Sequence, residues 1–307
     1  MQRNRDRGAL PNRHALSAAA RTSARLLALV AIFGADPTLA TDGVIEINHA
    51  QALAGGVTGG DSAGYPVTIG EGSYRLTSDL DLRDIIPANT HAIEVNVGGF
   101  ASVSIDLNGF SILGSATCTF SPPCTNAGSG EGIRAATGEP AIQIRNGKVV
   151  GMGSYGIYLQ NGVAELDRVS VTSNGGPGIY LGYGVVSRTI AYHNGGSGII
   201  IFDGVVRDSF ARLNAGYQIQ ADNGTIDTCS VEGGTGSAIR IGYGVLRGTF
   251  VKASVGTALE CFSSCALTGN KFTECEGANC FAGSTERLQV PPESNMCGSV
   301  VCPDPVP

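Results

Sequence analysis

Between Ile157 and Cys261 the apolar residues come in pairs two positions apart, and the pairs return about every twenty residues. One row is Ile157, Ile179, Ile199, Tyr217, Ile239 and Leu259, with steps of 22, 20, 18, 22 and 20. Its companion two positions on is Leu159, Leu181, Ile201, Ile219, Ile241 and Cys261. A second apolar signal follows Gly162, Gly184, Gly204, Gly224 and Gly244. A third runs through Val169–Val171, Thr189–Ala191, Ser209–Ala211, Cys229–Val231 and Thr249–Val251. Alternation over three to five residues between Gly or Asn corners predicts strands, and no window sustains helical spacing. Each period therefore predicts three short strands. A propeller blade needs about forty residues and a leucine-rich repeat needs its own Leu frame; neither is written here. An odd number of strands repeated in the same order cannot stack as hairpins. A coil that turns three corners and lands one strand spacing further on pairs every strand in parallel with its copy, which predicts an all-β, parallel β-helix.

The corners agree with this architecture. Sharp turns need left-handed dihedrals, which Gly adopts freely and Asn tolerates. Asn174, Asn194 and Asn214 fall at equivalent corners, either as a stacked amide ladder or as ordinary turn residues. Outward positions on the second strand give Arg207, Asp227 and Arg247, alternating in sign one coil apart, as solvated pairs. The open ends of such a stack need cover. Asn48-His49-Ala50-Gln51 carries a capping-box pattern ahead of Leu53-Ala54-Gly55, which predicts a short helix at the N-terminal opening. Residues 41–64 form that cap, 65–290 the β-helix, at roughly 21 residues per turn about ten coils, and 291–307 a disulfide-containing C-terminal tail.

Residues 1–40 change the picture of the chain's destination. Arg3, Arg5, Arg7, Arg13, Arg21 and Arg25 precede the apolar run Leu26–Ala35, and Thr38-Leu39-Ala40 supplies small residues where a signal peptidase cuts. This pattern predicts a signal peptide and an exported product, secreted or periplasmic, with no membrane span. The six Arg against Asp6 and Asp36 make a local +4 in a chain of −6 overall, which leaves −10 on the remainder. Such a product repels nucleic acid and anionic membranes. The 45 Gly, the 10 Phe and the lack of Trp are unlike an ordinary globular enzyme. All nine Cys follow the leader, which suits an oxidising compartment. Cys118 and Cys124 share a short loop, while Cys261, Cys265, Cys275, Cys280, Cys297 and Cys302 crowd the C-terminal end; these eight are disulfide candidates that pin a C-terminal cap. No Cys-x-x-Cys pair occurs, so the cluster does not suggest zinc. Cys229, in a strand-like run, is expected as a buried small filler.

The stretches GSYRLTSDL (72–80), AIEVNVGGFASVSIDLNGFSILG (92–114), IQIRNGKVVGMGSYGIYL (142–159) and NMCGSVVCP (295–303) resemble exported bacterial right-handed parallel β-helix repeat proteins of the pectin-lyase-like superfamily. The resemblance covers nearly all of the chain after residue 40. It implies a right-handed, single-stranded β-helix and a link to carbohydrate, since relatives include polysaccharide lyases, hydrolases, esterases and epimerases. Fold alone does not assign an activity.

The residues themselves show no catalytic constellation of those relatives. The outward position of the first strand reads Arg134, Tyr158, Tyr180, Ile200, Gln218, Arg240 and Glu260, with no carboxylate pair for a cation or for sugar hydrolysis. Asp79, Asp81 and Asp84 have no calcium-loop spacing and read as a solvated edge. His193 beside a Gly pair reads as a turn residue. Tyr158 and Tyr180 on one outward ladder suit sugar faces, and Gln218, Arg240 and Glu260 continue the row with hydrogen-bonding groups. A second outward row of Ile190, Phe210 and Phe250 is apolar enough to suggest cover or contact. The expectation is an exported β-helix scaffold that contacts polysaccharide or another envelope component along its side, with no metal and no cofactor. Its rivals are a polysaccharide lyase or other carbohydrate-active enzyme, and an adhesin-like interaction protein.

Overall fold

The computed structural model describes residues 43–118, 124–135, 137–253, 256–274, 280–282, 288–289, 295–297 and 300–301. The expected leader, and Cys275 and Cys302, lie outside them. The architecture is an all-β parallel solenoid with a single short helix among the described residues. Among the described residues the strands pair in parallel with their copies one turn away, the antiparallel contacts being Met296–Cys297 with Val300–Val301 and an isolated bridge between Thr117 and Thr125.

About seven turns are regular, entered at Ile133, Ile157, Ile179, Ile199, Ile219, Ile239 and Leu259. The expected ten even coils do not hold. The same ladder reaches back to Ile93 and Val67, but the chain from Ile93 to Ile133 takes 40 residues, so dividing length by a constant period overcounts. Strands per turn also differ from the expected three. The first two signals run together as one strand, as in Ile179–Ser187 and Ile199–Arg207, followed by a short one, Ile190–Tyr192 or Phe210–Arg212. Pairing continues through the bend because Gly204 holds φ at +145°, a region open to Gly. A Cβ at Gly204 would collide with the Gly184 carbonyl oxygen one turn away.

The core is a set of stacked aliphatic columns. Ile157, Ile179, Ile199, Ile219, Ile239 and Leu259 are all buried, as are Leu166, Val186, Val206, Ile226, Leu246 and Leu267 on the second row. Burying each such side chain contributes about 1.5–3 kcal/mol relative to exposure. The register runs Ile199↔Ile219↔Ile239, so Tyr217 does not belong to this column as the alternation had suggested. The cause is visible in the sequence. Gln218 takes the place that Gly198 holds one turn earlier, and the eye aligns the wrong pair.

Asn174, Asn194 and Asn214 do form the amide ladder. The side-chain oxygen of Asn194 accepts from the Asn174 backbone N–H at 3.1 Å and from its side-chain amide at 2.9 Å. Asn214 serves Asn194 in the same way at 3.0 and 2.8 Å. Each amide also donates to a carbonyl of the turn before, Asn194 to Val171 and Asn214 to Ala191. The left-handed dihedrals fall on the residues just ahead, Ser173, His193 and Leu213, rather than on the Asn. The next rung would be residue 234, which is Gly. Gln218 folds inward to fill it, its side-chain oxygen accepting from the Asn214 N–H at 2.9 Å and the Asn214 amide at 2.8 Å.

A second polar column occupies another inner corner. Thr189, Ser209, Cys229 and Thr249 each direct a hydroxyl or thiol to the carbonyl two residues back. Asn270 and Asn295 extend it, Asn270 donating from its backbone and side chain to Asn295 Oδ1 at 3.0 and 2.9 Å. Cys229 is thus a buried rung, its thiol free and pushed up to about 12 by burial.

At the N-terminal end, Val44–Ile47 leads into the helix His49–Ala54. Asn48 caps it, accepting from the Gln51 N–H at 2.9 Å and donating to the Gln51 side chain at 2.7 Å, and Ala52 joins the core. Disulfides join Cys118 to Cys124 and Cys261 to Cys265, and Cys280 and Cys297 are also disulfide-bonded. Arg207, Asp227 and Arg247 stack as expected, with Arg247 bonding Asp227 at 2.6 Å. Ile190, Phe210 and Phe250 share one outer column with Ser230 between them.

Candidate functional site

The outer face of the first row carries the chemistry that the solenoid does not need for folding. Its registered positions are Thr68, Glu94, Arg134, Tyr158, Tyr180, Ile200, Gln220, Arg240 and Glu260. Tyr158, Tyr180, Arg240 and Glu260 stand where the sequence placed them. Gln218 does not; it is fully buried as the last rung of the amide ladder, and Gln220 takes its place on the row. Counting from the corner Asn, 194 to 214, instead of from the alternation would have given this register.

Three rings gather in the first half of the row. Tyr158 and Tyr180 lie with centroids 5.3 Å apart at 32°, and Tyr155, from the corner before Tyr158, packs 4.9 Å from Tyr158 and 6.0 Å from Tyr180. The Tyr158 hydroxyl donates to Gln160 at 2.6 Å. Partial burial raises the pKa of Tyr155 and Tyr158, so both stay neutral hydrogen-bonding phenols.

Immediately beside these rings sits a group absent from the sequence-based site: His91, Glu131 and Arg134. Glu131 is 7% exposed. Its Oε2 lies 3.6 Å from both His91 Nδ1 and Arg134 Nε, yet hydrogen-bonds to neither. Burial raises its pKa, against the pull of Arg134 and with the push of Glu94. The Glu131 backbone N–H donates to His91 Nδ1 at 3.0 Å. Burial first, then Arg134, lowers the His91 pKa, against the pull of Glu94. His91 Nε2 lies 3.0 Å from Arg134 Nη1.

The far half of the row is differently made. Glu260 accepts from the hydroxyls of Tyr217, at 2.9 Å, and Ser237, at 2.5 Å, and Thr257 bonds Ser237 at 2.9 Å. The Arg240 guanidinium lies 4.3 Å from the Phe262 ring centroid and 5.6 Å from that of Tyr217, a cation–π sandwich on the surface. Its carboxylate and hydroxyls are bonded to one another, and the row offers ring edges and the Arg240 charge at the surface.

Residues 95–210 and 143–290 match the right handed beta helix region family. The chain belongs to that family. The match fixes the right hand of the solenoid. Among solved structures, the β-helix is similar to the A-module of Azotobacter vinelandii mannuronan C-5 epimerase AlgE4, at 11% identity and a TM-score of 0.41, over 84% of this chain and 89% of that one. No curated protein sequence matches it.

Other sequence candidates in the β-helix find structural partners. Asp81 bonds the Arg83 guanidinium, which holds its pKa down to about 2, and Asp79 accepts from the Ser111 N–H at 2.7 Å. His193 is a left-handed corner residue stacked on Tyr192 at 4.0 Å, its Nε2 buried without a hydrogen-bond partner and its pKa lowered by burial and then by Arg212. Among the described residues no group of His, Cys, Asp and Glu is placed to hold a metal, and no helix is long and apolar enough to cross a membrane. His91 and Glu131 were missed because they border the 40-residue turn, where no neighbouring phrase exists to align them. The one available signal was Arg134 on the outward row with two titratable residues nearby in sequence.

Proposed function

We propose that the protein is an exported β-helix scaffold whose first-row outer face contacts a linear polysaccharide lying along the stack. The observation that carries this is the pair of rings, Tyr158 and Tyr180, held one turn apart at 5.3 Å on an outward ladder. Successive turns advance about 4.8 Å, close to the repeat of an extended pyranose chain, so ring faces and sugar faces stay in step. Gln220, Arg240 and Glu260 prolong the row with groups that meet hydroxyls. Export is supported by the disulfides and by the basic, apolar and small-residue order of residues 1–40.

The test is binding of purified protein to an immobilised glycan panel, with Tyr158→Ala and Tyr180→Ala as variants. Removing an aromatic anchor weakens binding roughly tenfold while leaving the fold intact. Binding that survives both changes overturns the platform.

A further inference from the structure

On the side of the stack formed by the short strands that close each turn, an apolar row runs between two charged columns. The row is Ile190, Phe210, Ser230 and Phe250 in register, with Ile190 46% and Phe250 37% exposed. At the corner before it stand Arg207, Asp227 and Arg247. Two residues past it on the same strands stand Arg212, Glu232 and Lys252. Each turn therefore carries one sign on both flanks of the row: positive at Arg207 and Arg212, negative at Asp227 and Glu232, positive again at Arg247 and Lys252. The opposite charges meet only up and down the stack. Asp227 bonds Arg247 at 2.6 Å, and Glu232 lies 3.6 Å from Lys252 and 2.9 Å from Arg212 Nε, without hydrogen-bonding the latter. Arg207 is exposed and makes no ion pair among the described residues.

Bands that alternate in sign from turn to turn are complementary to the same bands read in reverse. A two-fold axis lying in the interface, parallel to the strands and midway between the Phe210 and Ser230 turns, performs that reversal. Arg207 and Arg212 then face the partner's Asp227 and the partner's Glu232, and the symmetry repeats both contacts the other way round. Ile190 meets the partner's Phe250, and Tyr192 meets the partner's Lys252, a ring against a cation. We propose that this side of the solenoid is the face of an antiparallel two-fold dimer between two copies of the chain. It is a different side from the tyrosine row and leaves that row open.

The neighbouring arrangements each put like on like or strand the apolar row. An axis through the Phe210 turn sets Arg212 on its own copy, and one through the Ser230 turn sets Glu232 on its own copy. Centred one turn earlier, the axis brings Asp227 onto the partner's Asp167; centred one turn later, it lays Phe210 on the partner's Lys271. An axis along the stack exchanges the two flanks and drives Arg207 against the partner's Arg212. Like charges brought together across an interface act against the wrong register. Roughly six turns by six residues, at about 4.8 Å and 3.3 Å each, give about 600 Å² per copy, or about 1,200 Å² buried in all. That is the lower limit of specific interfaces, so the dimer dissociates in the micromolar range.

The experiment is sedimentation equilibrium of the full chain from about 1 μM to about 1 mM, with two double variants. A reversible monomer–dimer equilibrium is expected. Asp227→Lys with Glu232→Lys makes the three bands all positive, and Arg207→Glu with Arg212→Glu sets two negative bands side by side. Each double variant alone dimerises about a hundredfold more weakly. Mixed in equal amounts, they place the introduced lysines of one chain against the introduced glutamates of the other and form a heterodimer, a gain that misfolding cannot produce. Ile190→Ser with Phe250→Ser weakens the native dimer about tenfold. A chain that stays monomeric to about 1 mM leaves this side to another occupant and overturns the dimer. Association that ignores both charge variants, that grows past two copies, or that is lost in both variants and not restored by mixing them overturns it as well.

Discussion

Two polar assemblies in this molecule are built on opposite terms. Inside the stack, Asn174, Asn194, Asn214 and Gln218 are buried, and each side chain both accepts from and donates to backbone or neighbouring amides. At the head of the outer row, His91, Glu131 and Arg134 lie only a few ångströms apart, with acceptor and donors misaligned. The first arrangement is what translation by one turn produces by itself, since a side chain that bonds its copy is satisfied at every level. Buried polar atoms without a hydrogen-bond partner also occur at His193 Nε2 and Arg212 Nε, on another side of the stack. Polar chemistry that recurs in register is satisfied by its own copies, and polar chemistry set by a single turn has no such copy to bond.

The largest expected effect tests the first half of that contrast. Asn194→Ala removes the acceptor for two Asn174 donors and leaves them inside the stack, where each unsatisfied group costs about 1–3 kcal/mol. A total loss of about 3–5 kcal/mol in urea unfolding is expected, with faster hydrogen exchange at the Asn174 amide. A loss below about 1 kcal/mol would mean that water replaces the amide, and that the ladder is no stronger than a surface turn.

A smaller effect of opposite sign tests the second half. Burial raises the pKa of Glu131, so its contribution to stability is full below the ordinary Glu range and is lost as pH rises through the raised value. Glu131→Gln keeps the shape and cannot ionise. The variant is therefore expected to melt higher than the native protein at neutral pH, with the difference closing below about pH 4. If the variant melts lower at neutral pH, the carboxylate is holding Arg134 in place and the head of the row is a structural ion pair.

The same contrast explains what the amino-acid order reveals. Whatever recurs can be aligned: the aliphatic columns, the three corner Asn, the Arg207–Asp227–Arg247 stack and the Tyr158–Tyr180 pair are all visible as residues one period apart. The Asn48–Gln51 cap is legible for another reason, because its bonds are local. Gln218 was misplaced because it breaks the phrase, standing where Gly198 stands a turn earlier and repairing a rung that Gly234 lacks. The seven regular turns were overcounted because the segment from Ile93 to Ile133 carries extra chain without adding a level. His91 and Glu131 belong to that irregular segment, and their partnership with Arg134 exists only once the turns are stacked.

The smallest expected effect sharpens the first arrangement at a second corner. Cys229 occupies a rung shared with Thr189, Ser209 and Thr249, whose hydroxyls donate to the carbonyl two residues back at 2.9, 2.7 and 3.0 Å. Its thiol makes the same contact to Asp227 at 3.3 Å, and its N–H is held by Thr249 at 3.3 Å. If the column is what matters, Cys229→Ser changes stability by no more than about 0.5 kcal/mol, while Cys229→Ala, which leaves the Asp227 carbonyl with only the Asp208 N–H and opens a void, costs about 1–3 kcal/mol. Burial pushes the thiol up to about 12, so iodoacetamide should add no mass at residue 229 in the folded protein at neutral pH and label it fully in urea. Labelling of the folded protein at the rate of an exposed cysteine would place the thiol outside the stack and remove this corner from the comparison.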